Sequence, residues 1–144
     1  MSVRYLTMPE ILWLHQESLK RYGGGAGVRD SNLLKSAVVR PQMSFSGSDI
    51  FATLTQKAAA YLDSFARNHP FIDGNKRLAY ISAGRFLQLN TKYLLADADE
   101  AESFVLAIVT TELEIVDIAS WLDEHCVSYE EWLGDENSAF YIRR

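Results

Sequence analysis

At 144 residues, 48% hydrophobic and 23% charged, the chain is long enough to bury one continuous core without metal or disulfide staples. Its single cysteine, Cys126, excludes an internal disulfide and favours a reducing compartment. The net charge of −5 and the lack of a basic stripe argue against direct nucleic-acid binding. No apolar run approaches membrane-spanning length, so a soluble, cytoplasmic single domain is expected. The charge is unevenly placed: residues 97–136 hold 13 of the 19 acidic residues and no Lys or Arg, whereas the first 92 residues carry 12 basic against 6 acidic side chains. Solvated helix faces account for most of these charges, but the basic part would also draw an anion such as a nucleotide's phosphates.

Thr7-Met8-Pro9-Glu10 has the form of a capping box and predicts a helix from about Met8 to Arg21. Ile11, Leu14 and then Ser18 or Leu19 give it one core-facing stripe, and Gly23-Gly24-Gly25 stops it. Asp30 caps a second helix ending near Arg40, because Pro41 disfavours helix in the residue before it. Residues 42–50 lack helical spacing and are rich in Ser and Gly, which suits a mobile flap or short hairpin. From Ala52 to Asn68 the apolar positions 54, 58, 61, 62 and 65 have the spacing of a well-buried helix. Leu78, Ile81, Phe86 and Leu89 mark the next helix, which opens on Asn75-Lys76-Arg77 and ends at Asn90. Asp97 and Glu100 resemble a capping box for a helix through about Val109, and Ile115, Ile118, Ala119 and Leu122 mark another. In residues 127–144, Tyr129, Trp132, Phe140 and Tyr141 are interleaved with acidic residues; a short helix packed back on the domain or an exposed partner-binding tail fits this pattern. The chain reads as all-α, with about six helices, one flap and no internal repeat.

The most informative stretch is His69-Pro70-Phe71-Ile72-Asp73-Gly74-Asn75-Lys76-Arg77. An imidazole can take a proton near neutral pH, and a carboxylate four residues on can hold a divalent cation. Gly-Asn-Lys-Arg opening a helix offers backbone N–H groups and positive charge to an anion. A purely structural reading makes His69 and Asn75 caps, Pro70-Phe71 a packed turn and Lys76-Arg77 solvated. It leaves unexplained a charged loop between the two most apolar helices. The glycines from Gly23 to Gly27 are not followed by Gly-Lys-Ser/Thr and no strand precedes them, so they read as a helix stop and turn. His15 and His125 have no ligand spacing to Cys126 and read as ordinary surface or boundary residues.

The nine-residue stretch resembles the signature of the Fic/Doc family, the Doc or death-on-curing branch more than the others. Arg21-Tyr22-Gly23-Gly24, Gly27-Val28-Arg29-Asp30 and Thr111-Glu112-Leu113 resemble stretches flanking the site in Doc-type toxins, in the same order. The resemblance covers residues 1–126 as a catalytic domain and leaves 127–144 as an extension. It implies an all-helical Fic fold that transfers part of ATP, with Mg2+, to a protein hydroxyl. His69 then matches the general base, Asp73 the magnesium ligand and Arg77 the cation that neutralises charge on the phosphate. Gly74, Asn75 and Lys76 fall among the nucleotide-binding residues, Asn75 in the anion hole and Phe71 packed beneath the loop. Arg67, two residues before the histidine, resembles a basic residue near the site in Doc-type proteins, and reads equally well as a solvated helix Arg.

Two positions depart from the AMP-transferring branch, which typically reads Gly-Asn-Gly-Arg with a second Arg three residues later. Here they are Lys76 and Tyr80. Lys76 resembles the Doc branch, which implies transfer of the terminal phosphate and hence a Ser/Thr-directed protein kinase. That branch further implies the toxin of a type II toxin–antitoxin pair, elongation factor Tu as target, and a Phd-like antitoxin with a disordered segment. AMP transfer to a protein hydroxyl is the alternative chemistry. A catalytically silent nucleotide- or partner-binding module is the alternative class.

Overall fold

In the computed structural model, which describes residues 2–135, the helices that open at Met8, Ser31 and Ala98 begin where a local cap predicts them. Thr7 Oγ1 accepts the Glu10 N–H at 3.3 Å while the Glu10 carboxylate accepts the Thr7 N–H at 3.0 Å, starting α1 (Met8–Tyr22). Asp30 accepts the N–H groups of Asn32 and Leu33 and starts α2 (Ser31–Val39), after which Arg40–Gln42 tighten into a 3-10 turn around Pro41. Thr53 and Gln56 form a further capping box for α3 (Leu54–Asn68). Next come α4 (Asn75–Leu89), α5 (Ala98–Thr111, capped by Asp97 and Glu100) and α6 (Ile115–Glu124). A short α7 (Tyr129–Gly134) follows, so the described residues hold seven helices rather than about six.

The core is organised around α3. Ala58, Ala59, Ala60, Tyr61, Leu62, Phe65 and Ala66 are all buried, so this helix is enclosed on nearly every side. It packs chiefly against α4 and α6, with α1, α2 and α5 around them. Small side chains on both central helices, Ala58 and Ala59 on α3 and Ala79 and Ala83 on α4, let the backbones approach closely. The two helices that flank the nine-residue loop are therefore the most closely packed pair in the domain.

The expected flap is a hairpin of β1 (Ser44–Phe45) and β2 (Ser48–Asp49), turned by Ser46 and Gly47, both at positive φ. Lys57 anchors it: although almost fully buried in α3, its Nζ donates to the Asp49 carboxylate at 3.0 Å and to the Phe51 carbonyl. A second antiparallel pair, β3 (Tyr93–Leu94) with β4 (Cys126–Val127), was not expected from the sequence, because two-residue strands are too short to show alternation. Trp132 of α7 is buried, with its ring 5.2 Å from that of Tyr93, so the start of the C-terminal extension lies against the domain. Phe140 and Tyr141 lie outside the described residues.

Leu6 is held to the central helix by a buried bond from its N–H to the Tyr61 hydroxyl, at 2.9 Å. Tyr61→Phe removes the acceptor and keeps the ring, so it should lower unfolding free energy by about 1–2 kcal/mol in urea denaturation, with an unchanged m-value.

Candidate active site

The chain leaves α3 through His69, whose φ of 48° and ψ of 59° place it in the left-handed region, where a non-glycine residue needs support. Arg29 supplies it. Its Nε donates to the His69 carbonyl at 2.6 Å and its second guanidinium nitrogen to the Asn68 carbonyl at 2.7 Å, satisfying the end of α3. The N–H groups of Arg29 and Asp30 both donate to the Pro70 carbonyl, and the Ile72 N–H donates to the Gly27 carbonyl. Phe71 turns inward and is buried, its ring stacked on that of His15 at 3.8 Å.

Asn75 completes the loop. Its side-chain oxygen accepts the Phe71 N–H at 3.0 Å and its amide donates to the Phe71 carbonyl at 2.9 Å. The side chain expected in an anion hole is thus occupied in holding Phe71, and what this position offers an anion is its backbone N–H. Gly74, at φ 77°, is the N-cap of α4 and brings no side-chain cap, so the first turn presents the N–H groups of Asn75, Lys76 and Arg77.

Asp73 is exposed, yet both carboxylate oxygens are fixed: one accepts the Gly25 N–H at 3.0 Å, the other the Gly74 N–H at 2.8 Å. These two bonds, helped by the charge of Arg77, hold its pKa below the ordinary carboxylate value. Arg77 donates to the Gly23 carbonyl at 3.0 Å and lies over the Tyr22 ring at 5.4 Å. Its other terminal nitrogen, Nη1, is buried without a hydrogen-bond partner. His69, Asp73, Gly74, Asn75, Lys76 and Arg77 line one cleft of about 540 Å³, with Ile72 and, from α5, Glu102, Val105 and Leu106.

Arg67 is the exception among the expected site residues. Its guanidinium pairs with Asp63 at 2.6 Å and donates to the Leu113 carbonyl at 2.6 Å, bracing α3 against the α5–α6 turn, and it does not line the cleft. Arg67 still lies within α3, whereas His69 has left the helix through a left-handed turn, so nearness in sequence does not bring the two side chains to one surface.

Residues 5–87, from before α1 to near the end of α4, match the profile of the Fic/DOC family. The chain belongs to the Fic/Doc family. Its relatives include Toxin Doc of Mycolicibacterium smegmatis, 44% identical over 103 residues that cover 70% of this chain and 79% of that protein. Protein kinase doc of Escherichia phage P1 is 31% identical over 120 residues, covering 83% and 94%.

The family's cation and nucleotide can be tested against these residues. An ionised Asp73 whose oxygens each accept one N–H keeps lone pairs for a hard cation. Among the described residues no group of three or more His, Cys, Asp or Glu is placed to hold a metal, so such a cation would share phosphate oxygens and water. The orphaned Arg77 Nη1 and the open first turn of α4 suit those phosphates. The residues present therefore fit magnesium and a nucleotide.

Sequence reasoning missed three supports of the Fic/Doc loop. The first is Arg29. The second is the glycine segment, which is more than a helix stop: a Cβ on Gly24 would lie 3.0 Å from the Asp73 carboxylate, and one on Gly27 would lie 2.8 Å from Ile72. The third is His15, which is buried and not a surface residue; its ring donates from Nε2 to the Asp73 carbonyl at 2.8 Å. Its place on the stripe of Ile11, Leu14 and Ser18 was the available signal.

Burial pushes the His15 pKa below its ordinary value of 6.5, so the unfolded chain takes up a proton that the folded protein resists. Stability from this group is fully present above about pH 6.5 and is lost as pH falls toward the folded pKa. His15→Gln keeps a donor for the Asp73 carbonyl but cannot titrate, so urea midpoints of the variant should fall less than those of the parent between about pH 7 and 5.

Proposed function

We propose that this chain is a Doc-like toxin: a protein kinase that uses ATP and magnesium to phosphorylate a Ser or Thr hydroxyl of a translation factor, with elongation factor Tu the first candidate. Action in the cytoplasm, and neutralisation by a Phd-like antitoxin segment that folds onto the domain, belong to the same reading. Among the described residues, no helix is long and apolar enough to cross a membrane. The observation that carries the proposal is the cleft itself, where the His69 imidazole, an ionised Asp73 and a buried, unpaired Arg77 nitrogen meet at the start of α4.

His69 accepts the proton of the attacking hydroxyl as the new O–P bond forms and the bond to the ADP oxygen breaks, leaving a phosphate ester and ADP. The left-handed turn held by Arg29 sets where that imidazole stands. Magnesium, held by Asp73 when bound, neutralises charge on the phosphate oxygens. Arg77 and the N–H groups at the start of α4 provide the remaining positive potential.

Position 80 favours phosphate over AMP transfer. Tyr80 is buried and meets the Trp121 ring edge-on at 6.4 Å, so this position adds no second cation to the site. The kinase name of the phage P1 relative points the same way.

Incubating the purified protein with bacterial lysate and ATP labelled at either the first or the terminal phosphate tests the reading. Terminal label should appear on one protein band; first-phosphate label would mean AMP transfer, and neither label would leave a silent binding module. His69→Ala should reduce labelling by about 10²–10⁴-fold while leaving the unfolding midpoint within error of the parent.

A further inference from the structure

The first turn of α4 draws an anion with the N–H groups of Asn75, Lys76 and Arg77, and a backbone carbonyl turned toward the same space would repel it. The peptide that decides this joins Asp73 to Gly74, both of which line the cleft. Glycine accepts either sign of φ, so the chain itself does little to choose between the two directions of that peptide. Its N–H donates to the Asp73 carboxylate at 2.8 Å, and its carbonyl accepts from His15 Nε2 at 2.8 Å, with Gly74 at φ 77°. Turning the plane over would take the N–H from the carboxylate and the carbonyl from His15.

His15 is held rigidly for this task. It is buried within α1, and its ring lies nearly parallel to that of Phe71, 15° apart at 3.8 Å. Phe71 is in turn locked through both its backbone groups to Asn75. A Cβ on Gly74 would stand 3.6 Å from His15 Nε2, so the imidazole lies directly against the peptide. A carbonyl only accepts, so Nε2 carries the proton. The stack fixes the plane of the imidazole, and the imidazole fixes the plane of the peptide. We propose that His15 is a positioning residue for the phosphate end of the cleft: it holds the peptide between Asp73 and Gly74 with its carbonyl turned away, so that the Gly74 N–H orients the Asp73 carboxylate and the first turn of α4 presents only donors. His15 acts through this peptide and not by contact with the reacting atoms. This rests on the reading of Asp73 and α4 as the magnesium- and phosphate-binding elements, and adds what sets their direction.

Three variants of the full chain separate the hydrogen bond from the packing. His15→Gln places an amide nitrogen about where Nε2 stands and His15→Asn about where Nδ1 stands, so only the first reaches the carbonyl. His15→Phe keeps the stack on Phe71 and has no donor. Nuclear magnetic resonance of the isotope-labelled chain without ligand reads the Gly74 amide, and calorimetric titration with ATP in magnesium buffer reads affinity. The Gly74 resonance should stay near that of the parent in His15→Gln and move in the other two, with ATP affinity falling about tenfold in those two and less than about threefold in His15→Gln. The Gln and Asn pair, both without a ring, decides the matter should the Phe variant not fold. An unmoved Gly74 resonance in His15→Asn, an equal shift in His15→Gln, or a shift without loss of ATP affinity overturns the proposal and leaves the kinase reading intact. A parent chain that binds no ATP overturns the nucleotide reading, while the Gly74 resonance, read without ligand, still decides which residue directs the peptide.

Discussion

The loop between α3 and α4 has no secondary structure of its own, and the rest of the site depends on how its peptide groups are satisfied. A buried backbone group without a partner costs as much as a lost hydrogen bond, so this constraint is severe. The carbonyls of Asn68 and His69 go to the Arg29 side chain, and that of Pro70 to the Arg29 and Asp30 N–H groups. Phe71 bonds through both its groups to Asn75, Ile72 through its N–H to Gly27, and Asp73 through its carbonyl to His15. Gly74 passes its carbonyl to Leu78 and so enters the helix. The loop that lines the cleft is thus folded by a segment some forty residues earlier and is tied to α1 through His15.

The same bonds set the electrostatics. The N–H groups that orient the Asp73 carboxylate also keep it ionised, so it presents a full charge without being buried. His15, on the other side of that residue, is kept neutral by burial and adds a donor without adding a cation. The positive charge that lines the cleft therefore comes from Lys76, Arg77 and the helix terminus, with the Arg29 guanidinium behind the His69 carbonyl. The acidic run that begins at Asp97 contributes its Glu102 to the opposite wall. A charge asymmetry visible in the whole sequence is resolved here into two ends of one cleft.

How much of this could be read in advance follows from the range of each interaction. The capping boxes at Thr7 and Asp97 were legible because a cap is complete within four residues. The loop residues from His69 to Arg77 were legible because the chemistry is contiguous in sequence. Arg29 and His15 were not, because their partners lie about forty and sixty residues away, and neither carries a local pattern that names its partner. Arg67 is the converse case: it is near the loop in sequence, but its guanidinium is engaged by Asp63 and the Leu113 carbonyl and does not line the cleft. Glu102 looked like one more solvated acid until α5 was placed beside the loop.

The placement of α5 depends in turn on position 80. In the AMP-transferring pattern this residue is a cation; here it is a tyrosine whose ring meets Trp121. Trp121 is stacked between Phe104 of α5 at 3.8 Å and His125 at 3.7 Å, and His125 reaches Glu100 of α5. The aromatic contacts thus run from α4 through α6 to α5, and Phe104 lies between Glu102 and Val105 on the helix that walls the cleft. A tyrosine at this point is neutral and supplies a packing surface that joins α4 through α6 to α5. A neutral side chain at position 80 and the packing of the cleft's far wall therefore rest on the same residue.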